Sequence, residues 1–219
     1  MLKSFKNLVF ESENTCLFCR GNTANANGYI CNFCMDSIEI VNRQIDIHSP
    51  YIDKVYYACI YNRFIRENLH SFKFEGKPYL YKAFGEILLI AIDEIKLEER
   101  IDAIIYVPMH RRKEAQRGYN QSELLAEFVA DNLDMPLLKN HLFKRKLTTE
   151  QNKLNRLDRL TNLKDSFIIK TPLDLKDKEI LLIDDIITTG STMEECAKTL
   201  REAGTKNIYG LALTSGMRK

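Results

Sequence analysis

Residues 180–192 are Ile180-Leu181-Leu182-Ile183-Asp184-Asp185-Ile186-Ile187-Thr188-Thr189-Gly190-Ser191-Thr192. Four consecutive apolar residues that end abruptly in two carboxylates predict a strand buried on both faces, as in a parallel sheet. The C-terminal end of that strand brings the side chains of Asp184 and Asp185 to the rim of the sheet. The stretch therefore indicates an α/β fold with a polar site at one sheet edge.

The segment after the two carboxylates has the composition of an anion-binding loop. Its hydroxyl donors are Thr188, Thr189, Ser191 and Thr192. Gly190 permits a tight turn and a close approach of the backbone, just before a predicted helix whose first amides lack partners. Acids beside such a loop suit a sugar phosphate. They accept hydrogen bonds from vicinal ribose hydroxyls or hold a hydrated magnesium ion, while the loop takes the 5′-phosphate.

Two other nucleotide-binding classes are excluded by residue content. The chain has no G-x-x-x-x-G-K-[ST] segment, which a P-loop ATPase needs to hold a triphosphate. No G-x-G-x-x-G segment follows a predicted strand, so a dinucleotide fold is unsupported as well. The sugar-phosphate interpretation is therefore preferred.

A basic segment, residues 108–113, follows a second predicted buried strand. Ligands bind beyond the carboxyl ends of the strands in an open parallel sheet, so this segment and the acidic loop should open on the same edge. Arg117 lies just beyond it and has no evident structural role. Asn120 either contacts the ligand or caps the next helix together with Glu123.

Strands alternate with helices after about residue 50, which indicates βαβ units and a mainly parallel sheet. Predicted strands occupy residues 55–61, 166–170 and 208–214, and one helix begins at Pro78. Lys73, between two predicted helices, is either a phosphate ligand or a solvated cation at a helix end.

Four cysteines near the N-terminus, arranged as two C-x2-C pairs, have the spacing of a closed zinc site. The alternative is two disulfides or four unrelated thiols, which a cytoplasmic location disfavours. Residues 1–45 are accordingly predicted to be a zinc-finger module folded largely by its metal, and residues 46–219 a second domain. Cys59 and Cys196 have apolar neighbours and are predicted core residues. The four predicted zinc ligands are Cys16, Cys19, Cys31 and Cys34.

Residues 180–192 resemble the phosphoribosyl pyrophosphate (PRPP) signature of type I phosphoribosyltransferases, and the whole chain resembles the ComF family of competence proteins. The resemblance implies a type I phosphoribosyltransferase-like, mainly parallel sheet flanked by helices and preceded by a small zinc-finger module. It implies PRPP bound with magnesium, with Asp184 and Asp185 as catalytic residues. The implied PRPP-binding residues are Asp184, Asp185, Thr188, Thr189, Gly190, Ser191, Thr192, His110, Arg111 and Arg117.

The stretch Lys139–Lys164 carries eight lysines or arginines against two acids. By resemblance, Arg145 to Gln151, with Arg159 and Asn162, would take the place of a catalytic hood. Three uses stay open for this stretch. It is a lid over the sheet edge, a strip that binds nucleic-acid phosphates, or a solvated surface helix.

The composition describes a soluble globular protein, with 45% hydrophobic residues and a net charge of +2. No apolar run approaches the roughly 18 residues of a membrane-spanning helix, and no secretory signal is evident, so we expect a cytoplasmic protein.

Three hypotheses about function follow. The first is a PRPP-binding competence protein for DNA uptake in natural transformation, contacting single-stranded DNA through Lys139–Lys164 and the zinc module, or contacting a competence helicase. The second is a nucleobase phosphoribosyltransferase of nucleotide salvage. The third is a non-catalytic regulatory protein that retains the sugar-phosphate pocket. The cysteines favour the first or the third hypothesis.

Overall fold

The computed structural model of the chain describes residues 14–23, 28–146 and 165–217. Within these ranges the strands are Ile40–Ile45 (β1), Lys54–Ile60 (β2), Ala103–Tyr106 (β3), Leu142–Lys144 (β4), Phe167–Ile169 (β5), Glu179–Ile187 (β6) and Asn207–Ser215 (β7). The α-helices there are Asn32–Asp36 (α1), Arg63–Phe74 (α2), Tyr81–Ile95 (α3), Arg111–Arg117 (α4), Gln121–Leu133 (α5) and Ser191–Glu202 (α6).

Five strands form the main sheet in the order β1-β2-β7-β6-β3. Four of them are parallel, and β1 pairs antiparallel with β2 at one edge. The strand predicted at residues 180–183 is the centre of β6, between β7 and β3, and its four apolar side chains are fully buried. The predicted α/β class with a mainly parallel sheet is confirmed.

Helices cover both faces of this sheet. Leu181 and Ile183 belong to a core that includes α3 and α5, whereas Ile180 and Leu182 belong to a second core with α6. Successive side chains of a strand point to opposite faces, so a strand between two cores must be apolar at every position. This explains the continuous apolar run of β6.

Short-range signals set the ends of several helices. The Asn62 side-chain oxygen accepts a hydrogen bond from the Ile65 amide at 2.9 Å and so caps α2. Pro78 opens a 3₁₀ turn that leads directly into α3. Cys59 and Cys196 are fully buried, as predicted.

The chain also forms elements that its sequence did not suggest. The first strand is β1, which precedes the earliest strand predicted from the sequence, at residues 55–61. The basic segment becomes helical at Arg111. Part of Lys139–Lys164 forms β4, which pairs antiparallel with β5. Residues 147–164, which include most of the proposed hood, lie outside the described residues.

The four-cysteine segment packs directly on the rest of the chain. Cys16, Leu17 and Cys34 are buried in the same core as α3. The Phe18 ring lies 5.3 Å from the Phe84 ring of that helix, between ring centroids, and the Tyr29 amide donates a 2.9 Å hydrogen bond to Glu86. The division into residues 1–45 and 46–219 remains a prediction, but the described part of the first segment is in contact with the second.

None of the helices within residues 14–23, 28–146 and 165–217 combines the length and the apolar content that crossing a bilayer requires.

Candidate functional site

The C-terminal ends of β6 and β3 lie side by side at one edge of the sheet. The Val107 amide donates to the Ile183 carbonyl at 2.9 Å, which extends the pairing to the start of the basic segment. β6 carries the two carboxylates and ends at Ile187, directly before the hydroxyl-rich loop. The two segments predicted to share an edge therefore do so.

A cavity of about 280 Å³, here called the carboxylate cavity, opens between these two strand ends. It brings together predicted site residues from both strands. They are Asp184, Asp185, Thr188, Thr192, His110 and Arg117. Opposite charges thus face one space, with acids and hydroxyls on one side and cations on the other.

The rest of the hydroxyl-rich loop lines a pocket of about 40 Å³ that adjoins this cavity, because Asp184, Thr188 and Thr192 border both. The predicted residues that line only the smaller pocket are Thr189, Gly190 and Ser191. The remaining predicted residue, Arg111, borders neither space and lines a larger neighbouring cavity instead.

The two carboxylates have different partners. Asp185 forms an ion pair with Lys73, with 2.7 Å between Oδ2 and Nζ, and both side chains are largely buried. Asp184 Oδ1 accepts hydrogen bonds from the Ser122 hydroxyl at 2.8 Å and from the Asp185 amide at 2.9 Å. Lys73 is therefore not a solvated cation at a helix end, since it neutralises one acid of the site.

Burial raises the pKa of Asp184 to about 7, and the negative charge of Asp185 acts in the same direction. The hydrogen bonds from Ser122 and from the Asp185 amide lower the pKa, but their effect is smaller. Asp184 therefore keeps its proton in the folded chain at pH values where the unfolded chain has lost it.

This shift predicts a pH-dependent effect of Asp184→Asn on stability. Between the unfolded pKa near 4 and the folded pKa near 7 the native state binds more protons, so wild-type stability falls as pH rises through this window. In urea unfolding, the free energy of unfolding of the variant relative to that of wild type should therefore rise by about 1 kcal/mol or more between pH 4.5 and pH 8.

The exposed Asp131→Asn on α5 is the matched control for that change of side chain. It should show no such gain. If the difference in free energy of unfolding between Asp184→Asn and wild type stays constant from pH 4.5 to pH 8, the raised pKa of Asp184 is contradicted.

The hydroxyl-rich loop depends on its glycine. Gly190 has a φ of 79°, and a Cβ added there would lie 2.7 Å from Cγ2 of Ile47. Any side chain would thus be strained in backbone conformation and also blocked by Ile47. Within the loop, the Thr189 and Ser191 hydroxyl oxygens are 3.0 Å apart. The backbone of the loop is therefore tied to the segment before β2.

The basic side chains at the second strand end are held by neighbouring groups. His110 caps α4 through Nδ1, which accepts from the Arg112 amide at 3.2 Å. The Arg117 guanidinium donates to the Gln121 side chain at 2.5 Å and lies 4.9 Å from the centre of the Phe74 ring. Arg117 therefore has structural partners as well as a place at the cavity.

Asn120 caps α5, which is the structural role that the sequence left open. Its side-chain oxygen accepts from the Ser122 amide and caps α5, while its nitrogen donates to the Val107 carbonyl, each at 3.1 Å. Glu123 does not complete a capping box, because it accepts a hydrogen bond from the Tyr106 hydroxyl. Asn120 also lines the carboxylate cavity, so it fixes the wall of the site.

The four predicted zinc ligands, Cys16, Cys19, Cys31 and Cys34, converge, and all their sulfurs lie within 4.8 Å of one another. The Sγ atoms of Cys19 and Cys31 are 3.6 Å apart. A tetrahedral zinc ion with bonds of about 2.3 Å needs sulfurs roughly 3.8 Å apart, so the cluster fits a structural zinc. The Gly21 amide points at Cys19 Sγ at 3.4 Å, as expected for a group that supports a thiolate ligand.

Two residues of the site escaped the sequence analysis. Ser122 bonds Asp184 across the site, and Lys144 of β4 borders both the carboxylate cavity and the neighbouring cavity. Lys144 lies in the basic stretch already noted, but its position depends on the β4–β5 pairing. No local pattern indicated that pairing.

Comparison with known proteins agrees with this geometry. The model of the phosphoribosyl transferase domain matches residues 120–215, which run from the cap of α5 to the end of β7. Competence protein F of Haemophilus influenzae is 29% identical over 90% of this chain and 96% of that protein. Competence protein ComFC of Bacillus subtilis is 28% identical over 90% of this chain and 82% of its own length. The chain is thus similar to competence proteins over nine tenths of its length.

Similarity to solved structures is weaker. The phosphoribosylpyrophosphate synthetase of Mycobacterium smegmatis is 21% identical, with a TM-score of 0.37, over 60% of this chain. The matched region spans 33% of the synthetase chain.

Proposed function

We propose that this protein binds magnesium PRPP in the carboxylate cavity and acts in the uptake of DNA during natural transformation. The observation that carries the proposal is the convergence of Asp184, Asp185 and the hydroxyl-rich loop with His110 and Arg117 around one cavity. A ribose with phosphate groups at both ends needs such a divided site.

In the proposed complex the hydroxyl-rich loop takes the 5′-phosphate and the two aspartates take the ribose hydroxyls. His110 and Arg117 face the pyrophosphate, and Arg111 contributes positive charge from the adjoining cavity. Magnesium, when bound with PRPP, neutralises pyrophosphate charge. The aspartates also suit transfer chemistry, because their charge would stabilise positive charge that develops at the anomeric carbon.

Calorimetry tests the binding proposal with magnesium PRPP, ribose 5-phosphate and magnesium pyrophosphate. Both halves of the site should contribute, so PRPP should bind at least about tenfold more tightly than either fragment. Pyrophosphate binding equal to that of PRPP would contradict a divided site. Release of pyrophosphate on addition of nucleobases would identify the salvage transferase, and its absence would favour the binding protein.

The proposed role in transformation is supported by the similarity to proteins named for competence. The four-cysteine cluster is also consistent with a surface for nucleic acid or a partner, and we place the protein in the cytoplasm. Single-stranded DNA would bind through the zinc module and Lys139–Lys164, and a competence helicase is the proposed protein partner. DNA affinity should fall steeply with salt, because phosphate contacts release counterions.

A further inference from the structure

A second cavity of about 560 Å³ adjoins the carboxylate cavity on the other side of the basic segment. It lies between the end of β3, the helices α4 and α5, and the β4–β5 ribbon. We call it the ribbon cavity. It shares a wall with the carboxylate cavity, formed by Pro108, Met109, His110, Asn120 and Lys144. Of this lining, the PRPP complex proposed above uses only His110 and Arg111.

The ribbon cavity combines an apolar wall with a basic rim. The apolar side chains are Met109, Leu142, Phe143 and Ile168. The cations on its lining are Arg111, Arg112, Lys144, Arg145 and Lys170. The acids there are Glu114 and Glu123, so positive charge is in clear excess. Such a surface suits a ligand that is aromatic in one part and anionic in another.

The basic rim and the apolar wall of the ribbon cavity are in contact where Lys170 lies over Phe143. The ammonium group of Lys170 lies 4.0 Å from the centre of the Phe143 ring. Lys170 and Arg111 are exposed, so their charges are available to a ligand that rests on the apolar wall. A free nucleobase would leave these cations without a partner, and inorganic phosphate would leave the apolar wall unused.

Polar groups occupy the inner side of the cavity. The hydroxyl of Tyr106, a largely buried residue, donates to Glu123 at 3.1 Å, and Asn140 lies on the same lining. Tyrosine, carboxyl and amide groups together offer both donors and acceptors to the edge of a planar heterocycle. Burial raises the pKa of Glu123, which reduces the repulsion this acid would exert on an anionic ligand.

We propose that the ribbon cavity is a second ligand site, which binds a nucleoside 5′-phosphate. The base lies on the wall that contains Phe143, its polar edge meets Tyr106 and Glu123, and its phosphate meets Arg111 and Lys170. This phosphate position is separate from the hydroxyl-rich loop. The site does not depend on PRPP binding, so the two proposals can fail independently.

Fluorescence or calorimetric titration of the full chain with thymidine 5′-monophosphate tests the proposal without PRPP. Thymidine, which lacks the phosphate, should bind at least about tenfold more weakly. Lys170→Ala should weaken nucleotide binding about tenfold, and Phe143→Leu severalfold, since base–aromatic contacts contribute to affinity. Lys170 is exposed at the ribbon end, so its removal leaves the core intact.

Lys54→Ala, an exposed lysine at the start of β2, is the matched control and should bind the nucleotide like wild type. The double variant Asp184→Asn/Asp185→Asn should also keep nucleotide binding. Unchanged affinity in Lys170→Ala and Phe143→Leu would overturn the proposal. Nucleotide binding that is lost in the aspartate variant would overturn it too, by placing the nucleotide in the carboxylate cavity.

The source of the nucleotide is resolved with a short single strand that carries a 5′-phosphate. Tighter binding of the strand than of the mononucleotide identifies a strand terminus as the ligand. Equal binding identifies the free nucleotide. Both results support the site, provided that each is sensitive to Lys170→Ala.

Discussion

The double variant Asp184→Asn/Asp185→Asn is expected to bind magnesium PRPP at least about a hundredfold more weakly than wild type in calorimetric titration. In a titration at pH 8, above the Asp184 pKa of about 7, both carboxyl groups are charged. Asparagine keeps the shape of each side chain but removes the charge that strengthens a hydrogen bond from a ribose hydroxyl. Each charge-assisted bond contributes roughly 1.5–3 kcal/mol, so losing two produces a change of this size.

The control for this variant is Asp131→Asn/Asp134→Asn on the exposed end of α5, which removes the same charge outside the site. It should bind PRPP like wild type. Circular dichroism should show that both variants are folded. Equal PRPP affinity of wild type and the Asp184/Asp185 variant would refute the assignment of the carboxylate cavity.

Cys19→Ser is expected to reduce the zinc content from about one ion per chain to nearly none, and to lower the unfolding temperature by about 10 °C or more. Cys19 is exposed, so the substitution removes a ligand without opening the core. The effect on stability is large because Phe18, next to Cys19, contacts the rings of Phe84 and Phe64 in the main core.

Metal analysis and thermal unfolding measure these two effects. Cys59→Ala serves as the control, because Cys59 is a buried thiol of β2 outside the cluster. This control should keep its zinc and lose only the packing of one small side chain and its 3.3 Å hydrogen bond to the Leu213 carbonyl. A Cys19→Ser protein that retains a full complement of zinc would show that the cluster is not the metal site.

The sequence was most informative where structure is determined locally. The apolar run of β6 predicted a doubly buried strand, because only a strand between two helical layers is apolar at every position. The C-x2-C spacing predicted the cysteine cluster, since four thiolates converge only when the intervening chain turns back. Gly190 predicted the tight loop, because glycine adopts a positive φ without steric strain.

Long-range pairing accounts for most of what the sequence did not indicate. β1 is short and becomes recognisable only beside β2, and β4 is a three-residue strand in a basic segment that pairs with β5. The contacts of Lys73 with Asp185 and of Ser122 with Asp184 join residues more than 60 positions apart. No local pattern specifies such partners, because tertiary packing selects them.

Asp185 already has a partner in the carboxylate cavity, because it forms an ion pair with Lys73. A ligand that reaches Asp185 must displace a tethered ammonium group that is already charge-matched and largely shielded from water. We therefore expect simple sugars, whose hydroxyl groups bond weakly, to compete poorly for the proposed site. A ligand with its own phosphates would also offer the released ammonium a new anionic partner, so we expect the ion pair to favour phosphorylated sugars.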